Sequence, residues 1–316
     1  MDEQLQAALN QALDGIKYDV LRQRIADLSA RYRGECVRDG AASMADRLDC
    51  LAYAVFRMPA TFRALRAALT AADAHVGSFS NHLDLGGGTG AGAWAAADVW
   101  PGISTEIVER QPDAIELGST LLANGNQQWT RADLRRWEPE RRVELVTISY
   151  VLGELTAATR GRVVAKAANT ADTVVVVEPG TPRGFERILE ARRQLIDLGM
   201  TFAAPCPHEQ ACPLAANDWC HFAVRVPRSE LHRLAKHGTR NYEDEKFSYL
   251  VATRRPSTSA TNRIINRPTR PKGRVVLDLC TADGTRKQLV VPKSSEQFRS
   301  ARDATWGDSW EAGRRS

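Results

Sequence analysis

Apolar positions in the first 80 residues recur at spacings of three and four, the pattern of an amphipathic helix with one buried face. Leu5, Leu9 and Leu13 begin the first of several such series. The pattern breaks at Pro59, and because proline is favoured in the first turn of a helix, a new helix is predicted to start there. Residues 1–80 are therefore expected to form a helical region.

From residue 82 onward the pattern changes to short apolar runs separated by helical stretches. Such alternation is typical of a parallel sheet, because parallel strands need long crossover connections and these are usually helices. A domain with this architecture is expected at residues 81–254. The predicted strands are residues 82–85, 105–109, 128–130, 145–150 and 173–177.

The second half of this domain is predicted to contain two helices, at residues 183–198 and 229–237. A loop rich in cysteine and proline follows the first of them. Two further strands, at residues 221–226 and 247–253, are expected to form a hairpin-like pair that closes the sheet.

Residues 255–316 are expected to form a third region. The segment 254–274 contains six arginines, one lysine, three prolines and no acidic residue, which predicts a linker or an extended basic arm. Two short strands are predicted at residues 274–280 and 287–291, because the Asp283-Gly284 pair between them is a hairpin signal. The region is interpreted as a basic arm followed by a β-hairpin extension.

Composition narrows the class of protein. A chain of 316 residues is long enough for about two domains. Its net charge of +5 permits an acidic partner such as RNA without requiring one. No apolar stretch approaches the roughly 18 residues of a membrane helix, and the polar, acidic start resembles neither a secretory nor a transit signal. A cytoplasmic location of bacterial type is therefore expected, with the cysteines in a reducing environment.

The strongest motif lies directly after the first predicted strand. Asp84, Gly86, Gly88 and Gly90 fit the pattern D-x-G-x-G-x-G, in which the glycines allow a sharp turn and close approach of the backbone to a ligand. In methyltransferases that use S-adenosylmethionine, such a loop lies under the methionine part of the cofactor. An acid in the place of Asp84 orients the amino group of that cofactor.

Two more acids follow strands of the same sheet. Glu109 ends the second predicted strand, where an acid can accept both ribose hydroxyls, and Asp133 follows the third, where an acid can bond the adenine amino group. The glycines and Glu109 also fit a nicotinamide dinucleotide fingerprint, and a glycine loop without a ligand is a further alternative. Asp84 and Asp133 favour the methyltransferase. The expected fold is α/β, a class I S-adenosylmethionine methyltransferase (Rossmann-like) sheet.

The position after the fourth predicted strand, at residues 149–155, carries no obvious catalytic motif. Many amino-methyltransferases acting on RNA or DNA place N/D-P-P-Y/F there, and no Pro-Pro pair or nucleophilic cysteine is present. Glu154 is a candidate base, although a solvated or capping carboxylate is the simpler interpretation. No catalytic residue is assigned.

Four cysteines form a candidate metal site. Cys206, Cys212 and Cys220 fall within 15 residues, and Cys280 lies 60 residues later, so that a tetrahedral set of thiols can be completed. The spacing is wider than in zinc ribbons, and two of the cysteines precede proline, as in iron–sulfur loops. A [4Fe–4S] cluster is favoured. Zinc, held by thiolates alone or with a histidine, and unligated cysteines remain alternatives.

Taken together, these residues resemble a family of methyltransferase-like assembly factors of the small ribosomal subunit, known from mitochondria and with bacterial relatives. The resemblance covers about residues 30–287, and the cysteine spacing is its most specific part. The matching segments are residues 57–61, 83–90, 149–155, 177–182, 206–222, 245–249 and 278–280.

The resemblance implies a [4Fe–4S] cluster on the four cysteines and S-adenosylmethionine at the glycine loop and Glu109. It also implies contact with small-subunit ribosomal RNA or a pre-ribosomal small subunit, and hence a role in ribosome assembly or translation. The cluster is expected to pin the basic arm and the C-terminal strands onto the domain. The free protein is expected to be a monomer with no membrane association. The alternative is an active S-adenosylmethionine-dependent RNA methyltransferase.

Overall fold

The structure is a computed structural model that describes residues 2–33, 44–122, 125–214, 218–228 and 241–311. The helix predicted at residues 229–237 lies outside the described residues. None of the described helices is long and apolar enough to cross a membrane.

The predicted helical region is observed as four helices, α1 (Asp2–Ala12), α2 (Tyr18–Arg33), α3 (Arg47–Phe56) and α4 (Met58–Val76). Helix α3 begins after Asp46, whose side chain accepts a hydrogen bond from the backbone N–H of Asp49 and so caps the helix. Pro59 lies in the first turn of α4, as predicted. Leu65 and Leu69 on α4 are fully buried, so this helix is part of the main core.

A mixed sheet follows, and its order confirms the methyltransferase-like fold. The sheet order is β3-β2-β1-β4-β5-β8-β6, with β7 paired to β8. The first five strands run parallel, whereas β8 is antiparallel to β5. The strands are β1 (Asn81–Leu85), β2 (Ser104–Glu109), β3 (Gln127–Arg131), β4 (Val143–Ser149), β5 (Ala171–Pro179), β6 (Thr201–Ala204), β7 (Phe222–Pro227) and β8 (Tyr242–Thr253).

Helices cover both faces of this sheet, which explains why its central strands are recognisable from sequence. Side chains of β5 alternate between two cores, with Val175 and Val177 in one and Val174 and Val176 in the other. A strand buried on both faces reads as a continuous apolar run. The covering helices are α5 (Ala91–Val99), α6 (Pro112–Leu121), α7 (Ala157–Thr170) and α8 (Pro182–Asp197).

Strand β6 was not expected. Its sequence Thr-Phe-Ala-Ala is short and half alanine, a residue that is uncommon in strands. It forms because it pairs with the end of β8 at the sheet edge, with a register shift between Phe202 and Ala204. This pairing is a tertiary contact that local pattern does not record.

The C-terminal extension is a separate three-stranded sheet with its own small core. It contains β9 (Asn262–Ile264), β10 (Arg274–Thr281), β11 (Arg286–Pro292) and a short helix, α9 (Phe298–Asp303). The predicted hairpin is confirmed, with Gly284 at a φ of 76° in its turn. Leu277, Val291 and Trp310 are among the buried residues of this core.

The arginine-rich segment before β10 differs from the extended arm that its composition predicted. Arg263 is buried and donates hydrogen bonds to the carbonyl oxygens of Pro205 and Gly307, and it lies 3.2 Å from His75 Nε2. Three regions of the chain thus meet at one guanidinium. Arg254, Arg255 and Arg270 also donate to backbone carbonyls. Arginine serves here as a fivefold donor that ties loops together.

Candidate cofactor pocket and cysteine cavity

The glycine loop between β1 and α5 has the geometry that its sequence predicted. Gly86, Gly88 and Gly90 all have positive φ, at 73°, 57° and 91°. At Gly86 a Cβ atom would come within 2.7 Å of Val151 Cγ2, so only glycine fits without displacing its neighbour. The loop can therefore turn sharply at the carboxyl end of β1.

A pocket of about 680 Å³ opens beside this loop, within the usual size range of small-molecule sites. Gly86, Gly88, Glu109 and Asp133 line it. One oxygen of Glu109 accepts the backbone N–H of Gly88 at 3.0 Å, and the other accepts two further backbone N–H groups of the loop after β2. Four of the six predicted cofactor residues are thus brought together at the sheet edge.

The other two predicted cofactor residues lie behind the pocket wall. Asp84 is fully buried. One of its carboxylate oxygens accepts the Thr147 hydroxyl at 2.5 Å, and the other has no hydrogen-bond partner among the described residues. Burial raises the pKa of Asp84 to about 6; the charge of Glu109 adds to this, and the Thr147 hydrogen bond opposes it. Gly90 faces Leu122, which a Cβ would approach to 2.6 Å. Asp84 lies close under the glycine loop, because a Cβ at Gly87 would come within 2.7 Å of its carboxylate oxygen.

Asp133 lies at the rim, where Arg135 forms a bidentate ion pair with its carboxylate. This hydrogen bonding lowers the pKa of Asp133 to about 2, so the carboxylate stays ionised at neutral pH. The carboxylate of Asp133 is therefore a preformed acceptor for a hydrogen-bond donor of a bound ligand.

The opposite wall of the pocket comes from the N-terminal helices, a feature that the sequence did not indicate. Ile25 and Leu28 of α2, Met44 before α3, and Tyr53 and Phe56 of α3 line it. The wall is mostly apolar, and its periodicity reads as ordinary helix packing because a buried face has the same spacing whatever it covers.

Four segments that carried the family resemblance converge beside this pocket. The guanidinium of Arg57 pairs with Glu245 at 3.0 Å, and the hydroxyl of Tyr150 donates to the same carboxylate at 3.2 Å. Tyr150 follows β4 and has a φ of 56°, unusual for a residue other than glycine. The hydroxyl of Thr89 in the glycine loop also contacts the sulfur of Met58 at 3.2 Å. These segments thus lock the helical region onto the sheet.

The four predicted metal ligands line one small cavity of about 40 Å³. Among the described residues, however, no three acidic, histidine or cysteine side chains are close enough together to hold a metal ion, so the predicted metal site is not shown. The thiols contributing to this cavity are Cys206, Cys212, Cys220 and Cys280.

Burial dominates the electrostatics of these thiols. It raises the pKa of Cys280 to about 12 and that of Cys220 well above its usual value, and the neighbouring thiols of Cys206 and Cys212 add to both shifts. Without a cation Cys220 and Cys280 are neutral thiols at physiological pH.

Two buried arginines hold the loop that carries the first cysteines. Arg192 of α8 donates to the carbonyl oxygen of His208, and Arg263 donates to that of Pro205. His208 lines the cavity, with Nε2 at 3.3 Å from Cys280 Sγ. His221 instead stacks on Trp219, with 5.2 Å between the ring centroids.

Comparison with known proteins identifies similar chains. The chain is 27% identical over 256 residues to the human ribosome assembly protein METTL17, mitochondrial, covering 72% of this chain and 54% of that protein. It is 24% identical over 357 residues to the Rsm22-cox11 tandem protein 2, mitochondrial, of Schizosaccharomyces pombe, covering 94% and 47%. The chain therefore spans about half the length of these relatives.

Solved structures with similar folds share little sequence with this chain. Magnesium protoporphyrin IX methyltransferase from Synechocystis has a TM-score of 0.41 and 15% identity, covering 72% of this chain and 90% of that one. An O-methyltransferase family protein from Burkholderia thailandensis has a TM-score of 0.44 and 12% identity, covering 74% and 68%.

The expected cytoplasmic location of bacterial type is contradicted, because the named relatives are mitochondrial proteins. That expectation relied on the composition of the first residues, which does not determine the cellular location of a protein family. The family profile described as mitochondrial small ribosomal subunit Rsm22 matches residues 47–311, most of the chain. The chain belongs to the Rsm22 family of mitochondrial small-ribosomal-subunit proteins.

Proposed function

We propose that this chain is an S-adenosylmethionine-binding, methyltransferase-like protein that binds small-subunit ribosomal RNA and assists ribosome assembly or translation. The human relative is named a ribosome assembly protein, and the matching family is described as belonging to the mitochondrial small subunit. These names support the ribosomal part of the proposal.

The pocket at the glycine loop carries the cofactor part. Glu109 stands at the end of β2 with its carboxylate held by backbone N–H groups, which leaves further lone pairs for ribose hydroxyls. Gly88 leaves the loop backbone open to a ligand, and Asp133 offers an ionised acceptor at the rim. When bound, S-adenosylmethionine supplies an activated methyl group.

Tyr150 supports a binding role over methyl transfer. Its ring lines the pocket directly after β4, where the N/D-P-P-Y/F segment of many nucleic-acid methyltransferases lies. The hydroxyl is engaged by Glu245, which is in turn held by Arg57. A side chain fixed in this way is suited to closing the pocket around the cofactor.

We further propose a [4Fe–4S] cluster on the four cysteines. Their convergence from two distant parts of the chain supports a metal, because neutral thiols gain little by meeting in one cavity and thiolates gain much by sharing a cation. Zinc is the second candidate, favoured by the small volume of the cavity, since a cluster requires the loop that carries Cys206 and Cys212 to open.

The full chain tests these proposals after purification without oxygen. We expect iron and acid-labile sulfide near four of each per chain, as a [4Fe–4S] cluster requires, and S-adenosylmethionine binding by calorimetry. We also expect cosedimentation with small ribosomal subunits in a density gradient. One zinc per chain would show that the site binds zinc and not a cluster, and absence of any metal would refute the metal site.

Failure to cosediment would refute the ribosomal role. Transfer of tritiated methyl groups from S-adenosylmethionine to small-subunit RNA would show instead that the chain is an active RNA methyltransferase.

A further inference from the structure

The net charge of the chain is concentrated in one part of the C-terminal extension. Residues 265–277 and 290–303 contain seven of the 43 basic residues and two of the 38 acidic residues. The other 36 basic residues are therefore matched by 36 acidic ones, so the whole excess of +5 lies in these two stretches. A local excess of this size creates a positive surface that attracts polyanions.

The fold brings these two stretches together at one end of the β10–β11 hairpin. Arg274 is the register partner of Pro292, and the backbone N–H of Lys293 donates to the carbonyl oxygen of Gly273 at 2.8 Å. Helix α9 lies alongside, because Arg270 donates to the carbonyl oxygen of Arg302. We call the exposed cations of this end the basic end: Arg267, Lys272, Arg274, Lys293 and Arg299.

The cations of the basic end are not used by the protein itself. Within the described ranges, none of their five side chains takes part in a hydrogen bond or an ion pair. At the opposite end of the same hairpin the charges are neutralised, since Arg286 pairs with Asp218 and Asp278, and Lys287 pairs with Asp283. The two ends of one small sheet thus differ in whether their cations already have partners.

The composition of the surface favours a phosphate backbone over an acidic protein. The cores of protein–protein interfaces are depleted in charged residues, above all lysine, and rely on apolar or aromatic anchors. Here Val290, 50% exposed, is the one strongly exposed large hydrophobic residue on the described part of the extension. Dispersed, unpaired lysines and arginines are typical of surfaces that neutralise phosphates.

We propose that the basic end of the C-terminal hairpin is the surface through which this protein binds the phosphate backbone of RNA. This inference rests on the proposed ribosomal function and assigns it to a particular surface. Within the predicted arm, Arg263 and Arg270 hold the protein's own carbonyls, whereas Arg267, Lys272 and Arg274 stay exposed and belong to the basic end.

The test uses the triple variant Lys272→Ala, Arg274→Ala, Lys293→Ala in the full chain. Its binding to a fluorescein-labelled hairpin of small-subunit ribosomal RNA is followed by anisotropy as salt is varied. Each phosphate contact contributes about 0.7–0.9 to the slope of log Kd against log salt, so we expect the slope to fall by about 2–3. Affinity at about 0.1 M salt should fall roughly 100-fold.

A second triple variant, Arg47→Ala, Arg142→Ala, Lys287→Ala, is the matched control. It removes the same formal charge from exposed cations that already pair with Glu116, Asp172 and Asp283. We expect its salt slope to match wild type. Melting temperatures of both variants report whether either change disturbs the fold.

The outcomes separate the surface from the function. Suppose that wild type cosediments with small subunits but that both triple variants bind the RNA hairpin with the same affinity and salt slope. Then the basic end is not the RNA surface, and the ribosomal proposal stands. If wild type does not cosediment, the ribosomal proposal itself fails and the inference with it. Wild type could instead bind polyglutamate more tightly than the RNA hairpin. If only the first triple variant loses that binding, the surface binds an acidic protein and not RNA.

Discussion

The pocket at the sheet edge and the cavity lined by cysteines differ in how far the protein satisfies its own polar groups. In the pocket, Glu109 accepts backbone N–H groups and Asp133 pairs with Arg135, so the site is formed before a ligand arrives. In the cavity, burial keeps Cys220 and Cys280 protonated. A metal would have to displace those protons before it could bind.

This difference indicates which site needs its ligand in order to keep its structure. The polar side of the pocket lies on one continuous sheet, and the Arg57–Glu245 pair holds the helical wall onto that sheet, so the pocket should persist empty. The cavity joins the loop after β6 to β10 in a different sheet. Arg263 and Arg286 of that sheet reach this loop, through the carbonyl of Pro205 and the carboxylate of Asp218. Loss of the cofactor should therefore leave the fold intact, whereas loss of the metal should loosen the extension.

The largest expected effect comes from Cys280→Ala. We expect complete loss of bound metal, measured as iron, zinc and sulfide per chain, and faster proteolysis of the C-terminal extension, with S-adenosylmethionine affinity retained. Cys50→Ala is the control, since Cys50 is equally a buried cysteine but lies in α3. Full metal content in the Cys280 variant would show that this thiol is not a ligand.

Gly88→Val should reduce S-adenosylmethionine affinity by more than about 100-fold in calorimetry. A Cβ at this position points toward Met44 and Tyr53, both 3.9 Å away across the pocket, so branched methyls fill the space that a ligand needs. Metal content should not change. Gly102→Val is the control, because Gly102 also has positive φ but a Cβ there meets nothing within 4 Å. Equal affinities of both variants would remove the cofactor assignment.

Asp84→Asn should stabilise the empty protein at pH 7. The pKa of Asp84 is raised from 3.8 to about 6, so the folded state binds its proton more tightly than the unfolded chain does. Its contribution to stability is therefore greatest below pH 4, declines between about pH 4 and 6, and is lowest above 6. At about 1.4 kcal/mol per tenfold change in proton affinity, the ionised carboxylate costs roughly 3 kcal/mol at neutral pH.

Melting temperatures of wild type and the Asp84 variant across pH 4 to 7 measure this contribution. We expect the variant's advantage to shrink as the pH falls toward about 4. A constant difference across this range would show that Asp84 does not titrate there.

The smallest effect is expected for Asp133→Asn. Its carboxylate lies at the pocket rim and pairs with Arg135, so losing its charge removes about 1 kcal/mol from ligand binding, a several-fold weakening. Asp172→Asn serves as control, because this exposed carboxylate pairs with Arg142 away from the pocket. Since hydrogen bonding holds the pKa of Asp133 near 2, its contribution should not vary between pH 5 and 8. A Kd equal to that of the control would place the adenine elsewhere.

The sequence by itself determined the features that repeat over short distances. The valines of β5 show a strand buried on both faces, and the glycines after β1 show a turn that approaches a ligand, because periodicity and positive φ are local properties. It also selected the four cysteines that line one cavity, through their spacing. It did not reveal that Asp84 is fully buried and does not line the pocket.

Only the tertiary structure decided which distant residues meet. Arg57 and Glu245 are separated by 188 positions, as are His75 and Arg263, and no local pattern predicts either pair. The N-terminal helices became a pocket wall because their apolar faces cover the sheet edge, and helical spacing is the same whether a face meets protein or ligand. Composition likewise identified an arginine-rich segment. Folding decided which of its arginines donate to backbone carbonyls and which remain exposed.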